Sequence, residues 1–269
     1  MCGIVASYHR AGRNIPTEKV ILSMLDELRF RGPDEKSVFG NQNVFLGHTR
    51  LSIIDLQTGS QPLFNENRSV AAILNGEIYN FIELRDQLQR EGHTFKTASD
   101  TEVIVHLYED HGEGLFKYLN GMFSIVIYDL KENLLLVGRD RMGEKPLLYS
   151  DSPERFLCAS EVKALLKFPD LSRELDNNAV AAYLNALYVP APLSIFKSIR
   201  KLEPAHYLKV TQNGTQKIKY WNPEFSIDRN LSEEDIAGEF INIFNDSVKN
   251  KMVSDVPLGA FLSGGIDSS

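Results

Sequence analysis

Apolar residues along this chain recur in two rhythms, and the points where the rhythm changes outline its elements. Ile21, Met24, Leu25 and Leu28 repeat at i, i+3, i+4 and i+7, the spacing of one helical face. Thr17 stands where a cap would start that helix, and Gly32-Pro33-Asp34 ends it and opens a loop. Phe81, Leu84 and Leu88 share a second helical face that Gly92 closes. Residues 102–111 read as a third helix with Val103, Ile104 and Leu107 inward. Further helices are expected over 161–166, 177–187 and 234–253. In the last of these Ile236, Phe240, Ile243, Phe244 and Val248 form a broad apolar stripe. Short apolar runs bounded by turn residues read as strands: 2–8, 43–49, 51–54, 69–74, 146–149, 156–159 and 257–262. Residues 122–129 and 134–139 read as a strand pair closed by a tight turn, and 207–210 and 217–221 flank Asn213-Gly214, a strong hairpin signal. Residues 10–14 and 57–62 read as turn and loop.

The helices cluster in sequence and do not alternate strictly with strands. That argues against a doubly wound parallel sheet and for an α+β fold in which sheets pack together with helices outside. Residues 223–231 are polar and irregular, as at a domain junction. After the apolar run 257–262 the chain enters Ser263-Gly264-Gly265-Ile266-Asp267-Ser268-Ser269, a loop whose glycines let backbone N–H groups approach a phosphate. Such a loop normally leads into a helix, so the chain reads as a fragment of something longer.

Composition narrows the class. With 269 residues and 43% hydrophobic content, a sizeable core is expected. The net charge is -7, with no basic block, which argues against a nucleic-acid footprint. No apolar run approaches the ~18 residues of a membrane span, and the N-terminus lacks a basic region followed by a secretory apolar stretch. Two cysteines, Cys2 and Cys158, are too few for a disulfide framework and fit a reducing compartment. The expectation is a cytoplasmic protein with neither membrane nor nucleic acid as partner.

Candidate chemistry starts at Cys2. Were Met1 removed, this residue would carry a thiol, a nucleophile once ionised, and an α-amine able to take its proton near neutral pH. Asn75 and Gly76 follow a strand; a carboxamide and a backbone N–H aimed at one point stabilise an oxyanion, although Asn-Gly also commonly makes a turn. Arg50 can hold a carboxylate bidentately, and Glu77 and Asp100 can hold an ammonium. Singly each is an ordinary surface charge; together they describe a site for a free α-amino acid with a side-chain carbonyl. His48 and His93 read as packing or hydrogen-bonding residues, Cys158 as a small buried hydrophobe. The six histidines and two cysteines show no metal spacing.

The chain resembles the glutamine-hydrolysing asparagine synthetases, members of the class II amidotransferases with an N-terminal nucleophile. The resemblance is carried by Met1-Cys2-Gly3-Ile4, Arg31-Gly32-Pro33-Asp34, the run from His48 to Asp55, the run from Asn75 to Asn80, Ser99-Asp100-Thr101-Glu102, Gly121-Met122-Phe123, the run from Arg139 to Leu147 and the run from Leu262 to Ser269. It implies a four-layer α/β/β/α sandwich over residues 2–222, a linker over 223–233 and, over 234–269, the first elements of an α/β ATP pyrophosphatase-type domain. It implies that Cys2 attacks the glutamine carboxamide, that Asn75 and Gly76 form the oxyanion hole, that Arg50, Leu51 and Ile53 hold the α-carboxylate, and that Glu77 and Asp100 hold the α-amine. The loop from Arg31 to Asp34 matches the one that covers the family's glutaminase site. Leu262, Ser263, Gly264, Gly265, Asp267 and Ser268 would grip ATP, incompletely here because the rest of that domain lies outside the sequence. The glutaminase reaction needs no cofactor; the intact synthetase would use ATP, Mg2+ and aspartate, and a homodimer is compatible with it. Two alternatives share these motifs: an amidotransferase with another acceptor, and a regulatory module without catalysis.

Overall fold

The computed structural model describes residues 1–10, 17–226 and 231–268. The turn expected over 10–14 thus lies, apart from Arg10, outside the described residues, as do 227–230 of the expected junction and Ser269. In chain order the elements are β1 (Gly3–His9), α1 (Glu18–Asp26), β2 (Glu35–Gly40), β3 (Val44–Arg50), β4 (Leu63–Phe64), β5 (Val70–Ile78), α2 (Phe81–Glu91) and α3 (Glu102–His111). There follow β6 (Gly121–Asp129), β7 (Leu134–Arg139), β8 (Leu148–Asp151), β9 (Arg155–Ala159), α4 (Val162–Leu165), α5 (Asn177–Ala186), β10 (Arg200–Lys201), β11 (His206–Thr211), β12 (Gly214–Lys219) and α6 (Glu233–Asn250).

The strands form two six-stranded sheets, ordered β10-β8-β9-β1-β3-β2 and β12-β11-β7-β6-β5-β4. Every strand pairing in both sheets is antiparallel. Side chains alternate across a strand, and β1 shows the consequence. Ile4, Ala6 and Tyr8 meet Ile73, Val126, Val137 and Leu208 of the second sheet. Val5, pointing the other way, meets Ile21, Met24 and Leu25 of α1 and Leu165 of α4. The outer face of the second sheet, with Leu74, Ile125 and Ile127, packs on Leu84 and Leu88 of α2 and on Val103, Ile104 and Leu107 of α3. The layers therefore run helices, sheet, sheet, helices: the expected α/β/β/α sandwich.

Several boundaries differ from the sequence reading, each for a physical reason. Residues 51–54 are not a strand; Leu51 N–H points at the Cys2 sulfur and Ser52 N–H donates to Asp34 Oδ2 at 2.8 Å, so this backbone serves side chains instead of a ladder. Residues 257–262 are irregular as well: they pair with neither sheet, and a strand without a partner has no ladder to complete. The edge strand β2 was not anticipated: its residues are half-buried or exposed and its sequence carries no apolar run. Asn75-Gly76 is no turn; β5 runs through it, with Asn75 opposite Ser124 and Gly76 opposite Phe123. Thr17 is the cap residue of α1, but its side chain makes no capping bond.

α6 begins with a capping box between Ser232 and Asp235. Its apolar stripe stays exposed, Phe240, Ile243 and Phe244 at 66%, 62% and 57%. Beyond it Asp255 N–H donates to the Ile53 carbonyl at 3.0 Å, and the Asp255 carboxylate accepts from Asp55 N–H at 2.7 Å.

Ile73 lies wholly buried between the sheets. Ile73→Ala is expected to destabilise the protein by about 2–5 kcal/mol, from lost transfer energy plus an unfilled cavity. Urea unfolding should show a lower midpoint with unchanged slope; an unmoved midpoint would show that the inter-sheet packing is not tight there.

Candidate active site

Cys2 stands immediately before β1, and the ladder of that strand fixes where it can be. Gly3 pairs with Thr49 and Ile4 with His48 on one side, while Val5 pairs with Ala159 on the other. Two further bonds hold the terminus: Arg31 Nε donates to the Cys2 carbonyl at 2.8 Å, and Ile4 N–H donates to Ser160 Oγ at 3.0 Å. Arg31 is itself held by Glu161 at 3.0 Å. The next residue, Gly32, lies on β3 so closely that a Cβ would come 2.3 Å from the Thr49 backbone. The loop from Arg31 to Asp34 thus reaches the terminus only because position 32 has no side chain.

The Cys2 sulfur rests against the backbone just past β3, 3.5 Å from Leu51 N and 3.7 Å from the Leu51 carbonyl oxygen. Burial pushes its thiol up from the ordinary value, and the Leu51 backbone contact and nearby positive charge only partly offset that. The thiol is therefore protonated near neutral pH, and a reaction at sulfur needs a base to remove the proton.

One cavity is lined by Cys2, Arg50, Leu51, Ile53, Asn75, Gly76, Glu77 and Asp100, all eight residues singled out in the sequence for the glutamine site. Asn75 is fully buried on β5, and neither atom of its carboxamide has a hydrogen-bond partner among the described residues. A buried amide without partners costs roughly 1–3 kcal/mol per unmet group, so this side chain is set to bond something that enters the cavity. Gly76 allows β5 and β6 to close at this point: a Cβ there would lie 1.9 Å from the Met122 carbonyl oxygen.

Arg50 ends β3 with its side chain buried. Its guanidinium donates to the carbonyls of Ile54, at 3.3 Å, and of Asp55. Glu35 is the only carboxylate near it among the described residues, at 3.7 Å. Asp55 adopts φ 52°, and its carboxylate accepts from Thr58 and from Ala98 N–H, which fixes the turn that aims those carbonyls. A buried cation that meets neutral carbonyls and one loose acid retains capacity for a carboxylate.

Across the cavity, Asp100 is buried, and burial together with the neighbouring Glu77 charge pushes its carboxyl up to about 6. A bond of 2.9 Å from Ile78 N–H opposes that shift. Glu77 is half-buried and also raised by burial, with the Lys145 charge pulling the other way. Two carboxyls that burial keeps from ionising freely gain from an incoming cation.

Sequence reasoning missed other lining residues. Lys145, Gln61, Gly59, Ser99 and Met122 share the cavity. Lys145 stands inside a quoted motif, which was the available signal; its Nζ lies 3.4 Å from Met1 Sδ, and burial lowers its ammonium while Glu77 opposes that. Gln61 bridges two elements, accepting from Leu74 N–H at 2.7 Å and donating to Thr101 Oγ1 at 3.1 Å. His48 is not in the cavity lining; it is buried, lowered to about 4 by that burial, and its Nε2 lies 3.1 Å from the Leu74 carbonyl. Facing an acceptor, that nitrogen carries the proton and donates. Cys158 is buried in β9 with its thiol pushed up to about 12 by burial. Leu262, Ser263, Gly264, Gly265, Asp267 and Ser268 lie apart from this cavity, and Leu262 is 73% exposed.

Residues 1–221 match the family described as a glutamine amidotransferase domain, and residues 239–269 match the asparagine synthase family. The chain is 37% identical over 272 residues to glutamine-hydrolyzing asparagine synthetase 3 of Bacillus subtilis strain 168, a match covering 100% of this chain and 44% of that protein. Glutamine-hydrolyzing asparagine synthetase 1 of the same organism is also 37% identical, over 100% of this chain and 43% of its own length. The chain thus spans somewhat under half the length of these relatives. Among solved structures, the glutamine phosphoribosylpyrophosphate amidotransferase of B. subtilis superposes with a TM-score of 0.59 at 20% identity, covering 82% of this chain and 49% of the other. That is a likeness of fold.

The raised Asp100 carboxyl has a thermodynamic signature. Below its unfolded value of 3.8 both states hold the proton. Between there and about 6 the folded state keeps a proton that the unfolded chain releases, so rising pH lowers stability. Asp100→Asn has no proton to lose. Its stability relative to the unsubstituted protein should therefore improve from pH 4 to pH 7 by up to about 3 kcal/mol. Urea unfolding of both proteins across that range checks it; a difference that does not change with pH would remove the buried, raised carboxyl.

Proposed function

This chain belongs to the glutamine amidotransferase domain family, and we propose that it hydrolyses glutamine to glutamate and ammonia with Cys2 as nucleophile. In the whole protein the ammonia is used in ATP-dependent conversion of aspartate to asparagine. The observation that carries the reading is the single cavity in which a thiol, an unpartnered buried carboxamide, a guanidinium and two carboxyls converge. No other arrangement in the described residues combines a nucleophile with groups for both ends of an amino acid.

In this reading Met1 is first removed. Met1 lines the same cavity, so its departure frees both the Cys2 α-amine and the space beside Glu77 and Lys145. Arg50, with backbone of Leu51 and Ile53, takes the glutamine α-carboxylate; Glu77 and Asp100 take the α-ammonium. The Cys2 amine accepts the thiol proton as sulfur attacks the carboxamide carbon. Asn75 Nδ2 and Gly76 N–H donate to the oxygen as it becomes negative. The proton then passes to the departing nitrogen, the C–N bond breaks, and ammonia leaves behind a γ-glutamyl thioester. Water, deprotonated by the same amine, attacks the thioester, and sulfur leaves with the proton as glutamate forms.

We assign residues 2–222 to the glutaminase domain, 223–233 to a linker and 234–269 to the start of the synthetase domain. The gap between the two family matches, 221 to 239, supports that division. The Ser263 to Ser268 loop supplies backbone donors for ATP phosphates, but a Cβ at Gly264 would meet nothing within 4 Å. The described residues form no opposing wall around that loop. A cytoplasmic location fits the two unpaired cysteines.

Two measurements test the glutaminase. Cys2→Ala is expected to abolish glutamine-dependent ammonia release in the full-length protein while circular dichroism stays native; glutamate formation that survives would remove Cys2 from the chemistry. The KM for glutamine is expected to rise as pH falls through about 6, where Asp100 takes up its proton and its attraction for the ammonium is lost. In Asp100→Asn the KM should be high and nearly flat over the same range. A KM in the unsubstituted enzyme that ignores pH would contradict the ammonium site.

A further inference from the structure

The outer helical layer holds a second cluster of chemically capable side chains, none of which lines the Cys2 cavity. Glu66 comes from the turn between β4 and β5, His93 from just past the Gly92 stop of α2, and His106 and Glu109 from successive turns of α3. One ligand atom from each lies within 4.8 Å of the others. His106 is 0% exposed, and neither of its ring nitrogens has a hydrogen-bond partner among the described residues. Its Nδ1 is nevertheless 3.4 Å from Glu66 Oε2 and 3.5 Å from Glu109 Oε2. His93 Nδ1 is 3.4 Å from Glu66 Oε1 and 3.8 Å from Glu109 Oε2.

His93 Nδ1 and Glu66 Oε1 make a long hydrogen bond; the two His106 Nδ1 separations lack one and, at 3.4 and 3.5 Å, have the length of coordination-shell edges. Ligands bound tetrahedrally at ~2.0–2.1 Å from Zn2+ lie about 3.3–3.4 Å from one another. The surroundings fit as well. His93 turns its other nitrogen onto Asp110 Oδ2 at 3.1 Å, the arrangement that orients metal-binding histidines, while His106 Nε2 stands 3.9 Å from Glu102 Oε1, beyond hydrogen-bond reach. The carboxylates are oriented too: Asn65 Nδ2 donates to Glu109 Oε1 at 2.7 Å and Thr94 N–H to Glu66 Oε1 at 2.9 Å. Glu102 accepts from the N–H groups of Lys96 and Thr97, both at 2.8 Å. Two neutral imidazoles and two carboxylates balance a doubly charged ion.

We propose that Glu66, His93, His106 and Glu109 bind one divalent first-row cation, Zn2+ before others, as a structural clip joining the β4–β5 turn to α2 and α3. Four protein ligands fill a tetrahedral shell and leave no open position, which makes the role structural and not catalytic. α3 begins directly after Ser99-Asp100-Thr101, so the clip also restrains the segment that carries Asp100.

The test uses untagged full-length protein carrying Cys2→Ala, stripped with EDTA and passed through gel filtration, so that the Cys2 thiol cannot contribute. Titration calorimetry with Zn2+ alone is expected to give one ion per chain with a Kd in the micromolar range or below. At about a hundredfold excess over Kd, Tm should rise by roughly 5–10 °C. His93→Ala and Glu109→Gln lie at the rim and leave the buried ring in place; each is expected to weaken Zn2+ binding at least about tenfold. His106→Asn should do the same if it folds. Absence of saturable binding in the micromolar range overturns the site. So does binding that His93→Ala and Glu109→Gln leave unchanged.

Discussion

β1 is hydrogen-bonded along both edges, to β3 and to β9, and all seven of its residues are buried. Chain termini in most domains fray. This one cannot, because withdrawing β1 would leave unpaired backbone groups on both neighbours and open the interior between the sheets and the layer under α1. The residue next to it, Cys2, inherits that fixity without belonging to the ladder. Arg31 and Ser160 fasten the remaining polar groups of the terminus. A nucleophile placed at the start of a chain is precise only under such a constraint, and the antiparallel six-stranded sheet supplies it.

Around that fixed point the cavity is built from incomplete interactions. Asn75 is buried with its amide unmatched, Arg50 is satisfied by carbonyls more than by charge, and Asp100 is held back from ionising by burial. Each defect alone destabilises the empty protein. A zwitterionic amino acid with a side-chain amide, the ligand proposed above, would remove all of them at once, its carboxylate, ammonium and carbonyl each answering one unmet need. The core beneath pays for this with close packing: the sheets meet through Ile4, Tyr8, Ile73, Val126 and Phe156, each at most 2% exposed.

What the sequence disclosed follows from how local each signal is. Helical faces such as Phe81, Leu84 and Leu88 repeat within one element, and Asn213-Gly214 encodes its own hairpin, so both were legible. β2 was not, because an edge strand needs only one paired side and has no apolar run to announce it. Residues 51–54 looked like a strand because apolarity there serves the cavity wall. Asn75-Gly76 carries the signature of a turn, and only pairing with β6 across 46 intervening residues keeps it extended. The cavity residues became legible as a set through family resemblance, since composition alone leaves Arg50, Glu77 and Asp100 as surface charges. The cluster of Glu66, His93, His106 and Glu109 left almost no trace: His106 and Glu109 are three apart on one helix, and the other two arrive through the turn before β5 and the loop after α2.

Asp255 exchanges two backbone-directed bonds with the loop at Ile53 and Asp55, the same loop whose carbonyls receive the Arg50 guanidinium. The polypeptide that leads away from α6 is therefore stitched to the floor of the Cys2 cavity. A shift of that stretch by a few ångströms would have to sever both stitches or drag the pocket floor with it. The two halves of the chain are thereby coupled mechanically at the wall of the Cys2 cavity.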